Sequence, residues 1–155
     1  MTPEMKNFYI SKRTEHVALV NSFAEKLGLH FPDHDKDKLH DPICSMMAPY
    51  VWKRYSPDSD APPSTEQLAD CELGIMNHKT TNPHHPEYWG DDIADMPEIA
   101  LAEMCCDWCA ANIQKLNAYG KFKTVIDFYE SYALSTYKFT DVQKEFIQKT
   151  LKELS

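Results

Sequence analysis

Apolar residues in this chain recur three and four apart almost from end to end. Nowhere does a stretch alternate apolar and polar for long enough to require a sheet. That pattern restricts the fold to packed helices. Val17, Val20, Phe23, Ala24 and Leu27 mark an amphipathic helix over 11–27, with Gly28 as its stop. Asp33 is placed to cap a short helix that starts at His34 and ends at Pro42. A helix over 43–55 is expected to bend or break at Pro49. The text SPDSDAPP (56–63) reads as a loop, and Ser64-x-x-Gln67 is a capping box opening a helix to about His78. From Thr80 to Met96, three nearby prolines and a Gly-Asp-Asp interrupt the period, and long irregular stretches in small chains tend to carry function. Pro97 opens a long helix to about Asn117, which Tyr119-Gly120 breaks. Residues 122–134 read as an aromatic-rich helix. Thr140-x-x-Gln143 is a second capping box, and the terminal helix behind it has Val142, Phe146, Leu151 and Leu154 on its apolar side. The expectation is an all-α single domain over 1–155, of about seven helices.

The 155 residues, 43% of them hydrophobic and 12% aromatic, suffice for one core. A net charge of −8 argues against a nucleic-acid track, which needs a basic surface. With four glycines and no GxGxxG or GxxxxGK[ST], no Gly-rich loop cradles a phosphate. No apolar run approaches the roughly 18 residues of a membrane span, so none is expected. Met1 to Lys12 is mixed polar and aromatic and has no signal-peptide core. Five cysteines are an odd number, and Cys105, Cys106 and Cys109 sit together. They suit a reducing, cytoplasmic setting better than a disulfide framework. Cys106-x-x-Cys109 lacks a second pair or a βαβ context, which leaves it as small buried helix residues.

Seven histidines in an acidic chain remain to be explained. His16 shares the stripe of Val20, Phe23 and Leu27, and so points inward. His34-Asp35 falls on the short helix, His78 closes the capped helix, and His84-His85 lies in the irregular stretch. Asp107 stands mid-helix among Met104, Cys105, Cys106, Trp108 and Ala111. A carboxylate buried alone in that company is costly, so it needs a cation or strong donors. Imidazoles with carboxylates suit a divalent transition metal. Each piece also has a plain reading, as a core histidine, a chance dipeptide or a loop turn. Their order and context carry the argument.

The pieces SKRTEHV (11–17), HDKDK (34–38), NHKTTNPHHPEYW (77–89) and DMPEIALAEMCCDW (95–108) follow the order H…HD…H…HH…D. That order resembles the HD superfamily of all-helical metal-dependent phosphohydrolases, and the local text is similar to a small HD-like family from phages and bacteria. The resemblance covers the motif-bearing part, 11–117, and leaves the C-terminal helices, 121–154, without a motif. It implies one divalent ion on His16, His34, Asp35 and Asp107. It implies a second near His78, with His84 and His85 behind it. Lys38 stands where many one-metal members have a glutamate, which resembles the two-metal enzymes and implies a catalytic role beside Asp35. The implied cofactor is one or two divalent ions among Mn, Fe, Co, Ni, Zn and Mg. The implied reaction is hydrolysis of a small phosphate ester, a nucleotide first among the candidates.

Lys12 and Arg13 lie four and three residues before His16, on the same helix face. Arg13 can clamp a phosphate, or the pair can simply solvate the helix end. Asp37, Asp41, Glu87, Asp91, Asp92 and Glu103 take surface or supporting roles by default. Asp91 and Asp92 are candidates to hydrogen-bond the imidazoles, and Glu103 lies one turn before Asp107. Trp52, Tyr88 and Trp89 serve either as a base-stacking wall or as core. The aromatics of 122–137 serve either a partner copy, giving a homodimer, or the core. His30 and His40 are bystanders. Two other functions share the pattern: an HD-fold diiron oxygenase with the same ligand order, and a protein that binds a nucleotide or a partner without turnover. A plain helical core with metal-free histidines is the remaining reading.

Overall fold

A computed structural model describes residues 1–155, and the chain is helical with no strand. The α-helices are α1 (Pro3–Glu25), α2 (Ile43–Tyr55), α3 (Thr65–Thr81), α4 (Pro86–Trp89), α5 (Glu98–Ile113), α6 (Val125–Phe128), α7 (Leu134–Thr136) and α8 (Asp141–Leu154). A π turn, Tyr129–Ala133, joins α6 to α7, so these form one run and the helical rods number seven. Short 3-10 turns lie at Lys36–Leu39, Gly90–Asp95 and Asn117–Lys121. None of the helices is long and apolar enough to cross a membrane.

Local chemistry explains the boundaries. α1 begins earlier than its apolar stripe, because Pro3 fits a first turn where no N–H is needed. It stops near Gly28, whose φ of +70° favours glycine. α2 runs through Pro49 without interruption. The first capping box is reciprocal: Gln67 N–H donates to Ser64 Oγ at 3.1 Å, and Ser64 N–H donates to Gln67 Oε1 at 3.0 Å. The second does the same with Thr140 and Gln143.

The expected irregular stretch from Thr80 to Met96 is ordered helix and turn instead. α3 continues to Thr81, where the Thr81 hydroxyl donates to Asn77 O at 2.8 Å. Pro86 occupies the first turn of α4, so this proline starts a helix. The Trp89 indole N–H donates to Pro83 O at 2.9 Å and closes the turn between α3 and α4. α5 ends at Ile113, short of Asn117, because Lys115 and Asn117 adopt left-handed φ of 57° and 47°. The Asn112 amide then holds the next turn, donating to Tyr119 O and Phe122 O.

α8 corrects the expected apolar face. Gln143, Ile147, Thr150, Leu151 and Leu154 point inward, while Val142 is 72% exposed. Gln143 Nε2 donates to Ile93 O at 2.8 Å and Met96 O at 3.2 Å, which turns that residue inward and its neighbour outward.

The chain forms two compact units, each built from separated segments. The first comprises Met1–Val17 and Asp33–Thr81. Its apolar core is Tyr9, Ile43, Cys44, Met47, Ala48, Val51 and Cys71. α2 and α3 approach closely at Gly74, where a Cβ would meet Met47 Cγ at 3.1 Å and Met46 Cβ at 3.2 Å. The second unit comprises Ala18–Pro32 and Asn82–Ser155. Its larger core includes Val20, Phe23, Leu101, Met104, Trp108, Phe128, Ile147 and Leu151. Phe128 meets Trp108 edge-on at 5.2 Å, so the C-terminal aromatics serve this core.

Candidate metal centre

In the first unit the chemistry gathers on Asp35. Its backbone has φ 57° and ψ 21°, a left-handed conformation that aspartate tolerates better than most residues. A left-handed residue cannot lie inside a right-handed helix. The expected short helix at His34 is therefore a turn, and the 3-10 segment begins only at Lys36. Asp33 does not cap it through its side chain; that carboxylate lies 3.7 Å from Lys36 in solvent.

The Asp35 carboxylate is wholly buried and faces one ammonium and three imidazole nitrogens. Lys38 Nζ lies 2.8 Å from Oδ2. His78 Nε2 lies 3.0 Å from Oδ1, His34 Nε2 3.4 Å from Oδ1, and His16 Nε2 3.8 Å from Oδ2. One donor atom from each of His16, His34 and Asp35 falls within 4.8 Å of the others, and all three residues are buried. Two imidazole nitrogens and a carboxylate oxygen form a donor set that a divalent transition metal prefers.

His78 adds a second argument for a cation. On α3 it is 1% exposed, and its Nδ1 lies 2.9 Å from both oxygens of Asp37. An Nδ1–H donated to Asp37 leaves Nε2 with a lone pair, and that lone pair faces Asp35 Oδ1. Two lone pairs at this distance repel unless a proton or a metal ion lies between them. A carboxylate that fixes the far nitrogen of an imidazole is the usual support of a metal-ligating histidine. Asp37, not the exposed Asp91 or Asp92, provides it.

Arg13 and Lys12 diverge. Arg13 is 8% exposed, its guanidinium carbon lies 5.8 Å from the Tyr9 ring centroid, and its Nε has no hydrogen-bond partner. Burial pushes the Tyr9 phenol well above its ordinary range; Arg13 opposes that shift and Asp35 adds to it. Lys12 instead turns to Glu15 at 3.4 Å, at the surface. Trp52 packs edge-on against Phe8.

The second unit has its own cluster. His84 and His85 occupy the turn before α4 and are buried, with ring centroids 4.3 Å apart. Asp107 on α5 is 7% exposed. His84 Nε2 and His85 Nε2 lie 3.7 and 3.9 Å from Asp107 Oδ2. Glu103, one turn earlier on α5, lies 3.4 Å from His84 Nδ1. The Tyr137 hydroxyl donates to Glu87 Oε1 at 2.6 Å on α4. Burial, then the Glu87 charge, drives the Tyr137 phenol well above its ordinary range.

Cys105, Cys106 and Cys109 are free, buried thiols in α5. Burial pushes Cys106 and Cys109 each up to about 12 and raises Cys105 strongly. They remain protonated and contribute packing, since only a thiolate is a good ligand or nucleophile. His30 and His40 are exposed.

The imidazoles and carboxylates singled out in the sequence, His16, His34, Asp35, His78, His84, His85 and Asp107, are all buried, while Asp37 and Glu103, given only supporting roles there, lie beside His78 and His84. The signals for these two acids were spacing: Asp37 two residues beyond Asp35, and Glu103 four before Asp107.

The class defined here is an all-helical protein whose buried His/Asp groups can hold a metal ion. The chain belongs to a family of unknown function (DUF5662), whose model matches residues 5–153. No curated protein and no solved structure matches it.

Proposed function

We propose that this protein is a metal-dependent phosphohydrolase of the HD type acting on a small phosphate ester, a nucleotide first among the candidates. The observation that carries the reading is the buried convergence of His16, His34 and Asp35, with His78 held against Asp35 by Asp37. The resemblance assigns His84, His85 and Asp107 to metal binding as well. A divalent ion, when bound, supplies a hydroxide near neutral pH and draws charge from phosphoryl oxygens. The protein's residues do the rest. Asp37 holds one tautomer of His78. Lys38 offsets the charge of Asp35 and keeps that carboxylate in place. Arg13, buried with an Nε that lacks an acceptor, suits a phosphate oxygen. Lys12 has no part in this.

Metal analysis of the purified protein, followed by a screen of nucleotides and simple phosphate esters, tests the reading. One or two equivalents of divalent metal are expected, with phosphate release that disappears in Asp35→Ala, His34→Ala and Asp107→Ala. Iron with an oxidised diiron absorption band and no phosphate release would replace hydrolysis with oxygen chemistry. Metal-free protein without turnover would sink both.

A further inference from the structure

Arg13 is a buried cation without a counter-charge of its own. Its neighbours in the first unit have one each: Lys12 has Glu15 at 3.4 Å, and Lys38 has Asp35 at 2.8 Å. Arg13 is nine-tenths buried, and its Nε has no hydrogen-bond partner. The Tyr9 ring, 5.8 Å from the guanidinium carbon, offers its face to the charge but no acceptor to an N–H. Taking a guanidinium out of water costs free energy that a hydrogen-bonded anion recovers. The planar fork of arginine fits a phosphoryl or carboxylate group with two parallel hydrogen bonds.

The direction of the side chain sets Arg13 apart from the metal centre. On α1, Tyr9 lies one turn before Arg13 and His16 about one turn after it, and the guanidinium lies against Tyr9. The Tyr9 phenol is within electrostatic reach of both Arg13 and Asp35, and the Cys71 thiol of both Arg13 and Lys38. Both side chains are buried, so they form a dry partition between Arg13 and the Asp35–Lys38 pair. The Arg13 charge also reaches Tyr55, which is exposed and marks the side from which a ligand enters. An anion on Arg13 is therefore a different group from one held at His16, His34 and Asp35. We propose that Arg13 is a second oxyanion site beside the metal centre, and that the substrate is a phosphate ester carrying a further phosphoryl or carboxylate group. The substrate class rests on the hydrolase reading above; the oxyanion site does not.

Calorimetric titration of the full chain tests this with alkylphosphonates, which are not hydrolysed, of increasing chain length. Their far ends carry a methyl, a carboxylate or a second phosphonate. At a chain length that spans the partition, wild type is expected to bind the two-oxyanion compounds about tenfold or more tighter than the methyl-ended one. In Arg13→Gln that preference disappears. Arg13→Lys keeps the charge, loses the fork and retains part of the preference. Circular dichroism checks that both variants keep their helices. A preference for only one of the two ends names the second group as carboxylate or phosphoryl. A wild type without the preference at any length, or a preference that survives in folded Arg13→Gln, overturns the proposal. The preference in a protein that releases no phosphate from any ester keeps the Arg13 site and removes the hydrolase reading. Hydrolysis of simple esters without the preference removes the Arg13 site alone.

Discussion

The least exposed side chains of the first unit include Asp35 at 1% and His78 at 1%, alongside Tyr9 and Cys44. In the second unit they include Leu101, Met104, Ile147 and Leu151. Both units exclude water, but for different ends. The second buries His84, His85 and Asp107 as well, but uses most of its space for apolar packing, where each buried methylene contributes about 0.8 kcal/mol. The first uses it to hold a carboxylate among imidazoles and an ammonium, where burial strengthens every electrostatic contact and stabilises little by itself. α1 carries both patterns: Tyr9 and His16 belong to the first unit, and Val20, Phe23 and Ala24 to the second.

The contrast can be broken by experiment. The largest effect is expected from Asp35→Ala, which removes the carboxylate that gathers three histidines and Lys38. Metal content by mass spectrometry should fall to background, and phosphate release with it. Retained metal would mean that Asp35 only balances charge. Next is Met104→Ala in the second unit, at 0% exposure. Urea titration should show a loss of about 2–5 kcal/mol from the cavity left behind.

Asp37→Asn should weaken metal binding by about 10- to 100-fold, read by competition with a chelating dye, because His78 loses its orienting carboxylate. Little change would reduce Asp37 to a surface acid. The two capping boxes give a finer comparison. Gln143→Ala removes two buried hydrogen bonds to Ile93 O and Met96 O and should cost about 1–3 kcal/mol. Gln67→Ala leaves only Ser64 without its partner near solvent and should cost about 0.5 kcal/mol or less. Similar thermal shifts for the two would mean that the buried contacts of Gln143 add nothing.

The smallest effect at neutral pH comes from the thiols of α5. Their ordinary value is 9.0, and burial raises Cys106 and Cys109 to about 12. Between those values the unfolded chain loses the proton and the folded chain keeps it. Stability is therefore unaffected below about pH 9 and falls as pH rises through the window to 12. Urea midpoints measured across that window should decline, and Cys106→Ala should flatten the decline. A flat wild-type profile would show the thiols to be water-accessible.

Much of this was legible in the chain. Both capping boxes, the limits of α2 and the loop after it follow from short-range rules, because caps and prolines act within one turn. The inward aim of His16 followed from the helical period. The stretch from Thr80 to Met96 is more ordered than its composition implies because proline both breaks helices and starts them, and Pro86 does the latter. Val142 faces solvent against its helical period because Gln143 reaches two buried carbonyls fifty and forty-seven residues away.

By itself the sequence determined the helical class and the residue types able to hold a metal, since periodicity and side-chain chemistry are local properties. Only the tertiary structure decided which acids support which imidazoles. It brought Asp37 to His78 across forty-one positions of chain and turned Arg13 inward while leaving Lys12 at the surface. It also left Leu73 and Met76 in solvent. Those outcomes depend on which faces of distant segments pack together, and no spacing along one segment encodes that.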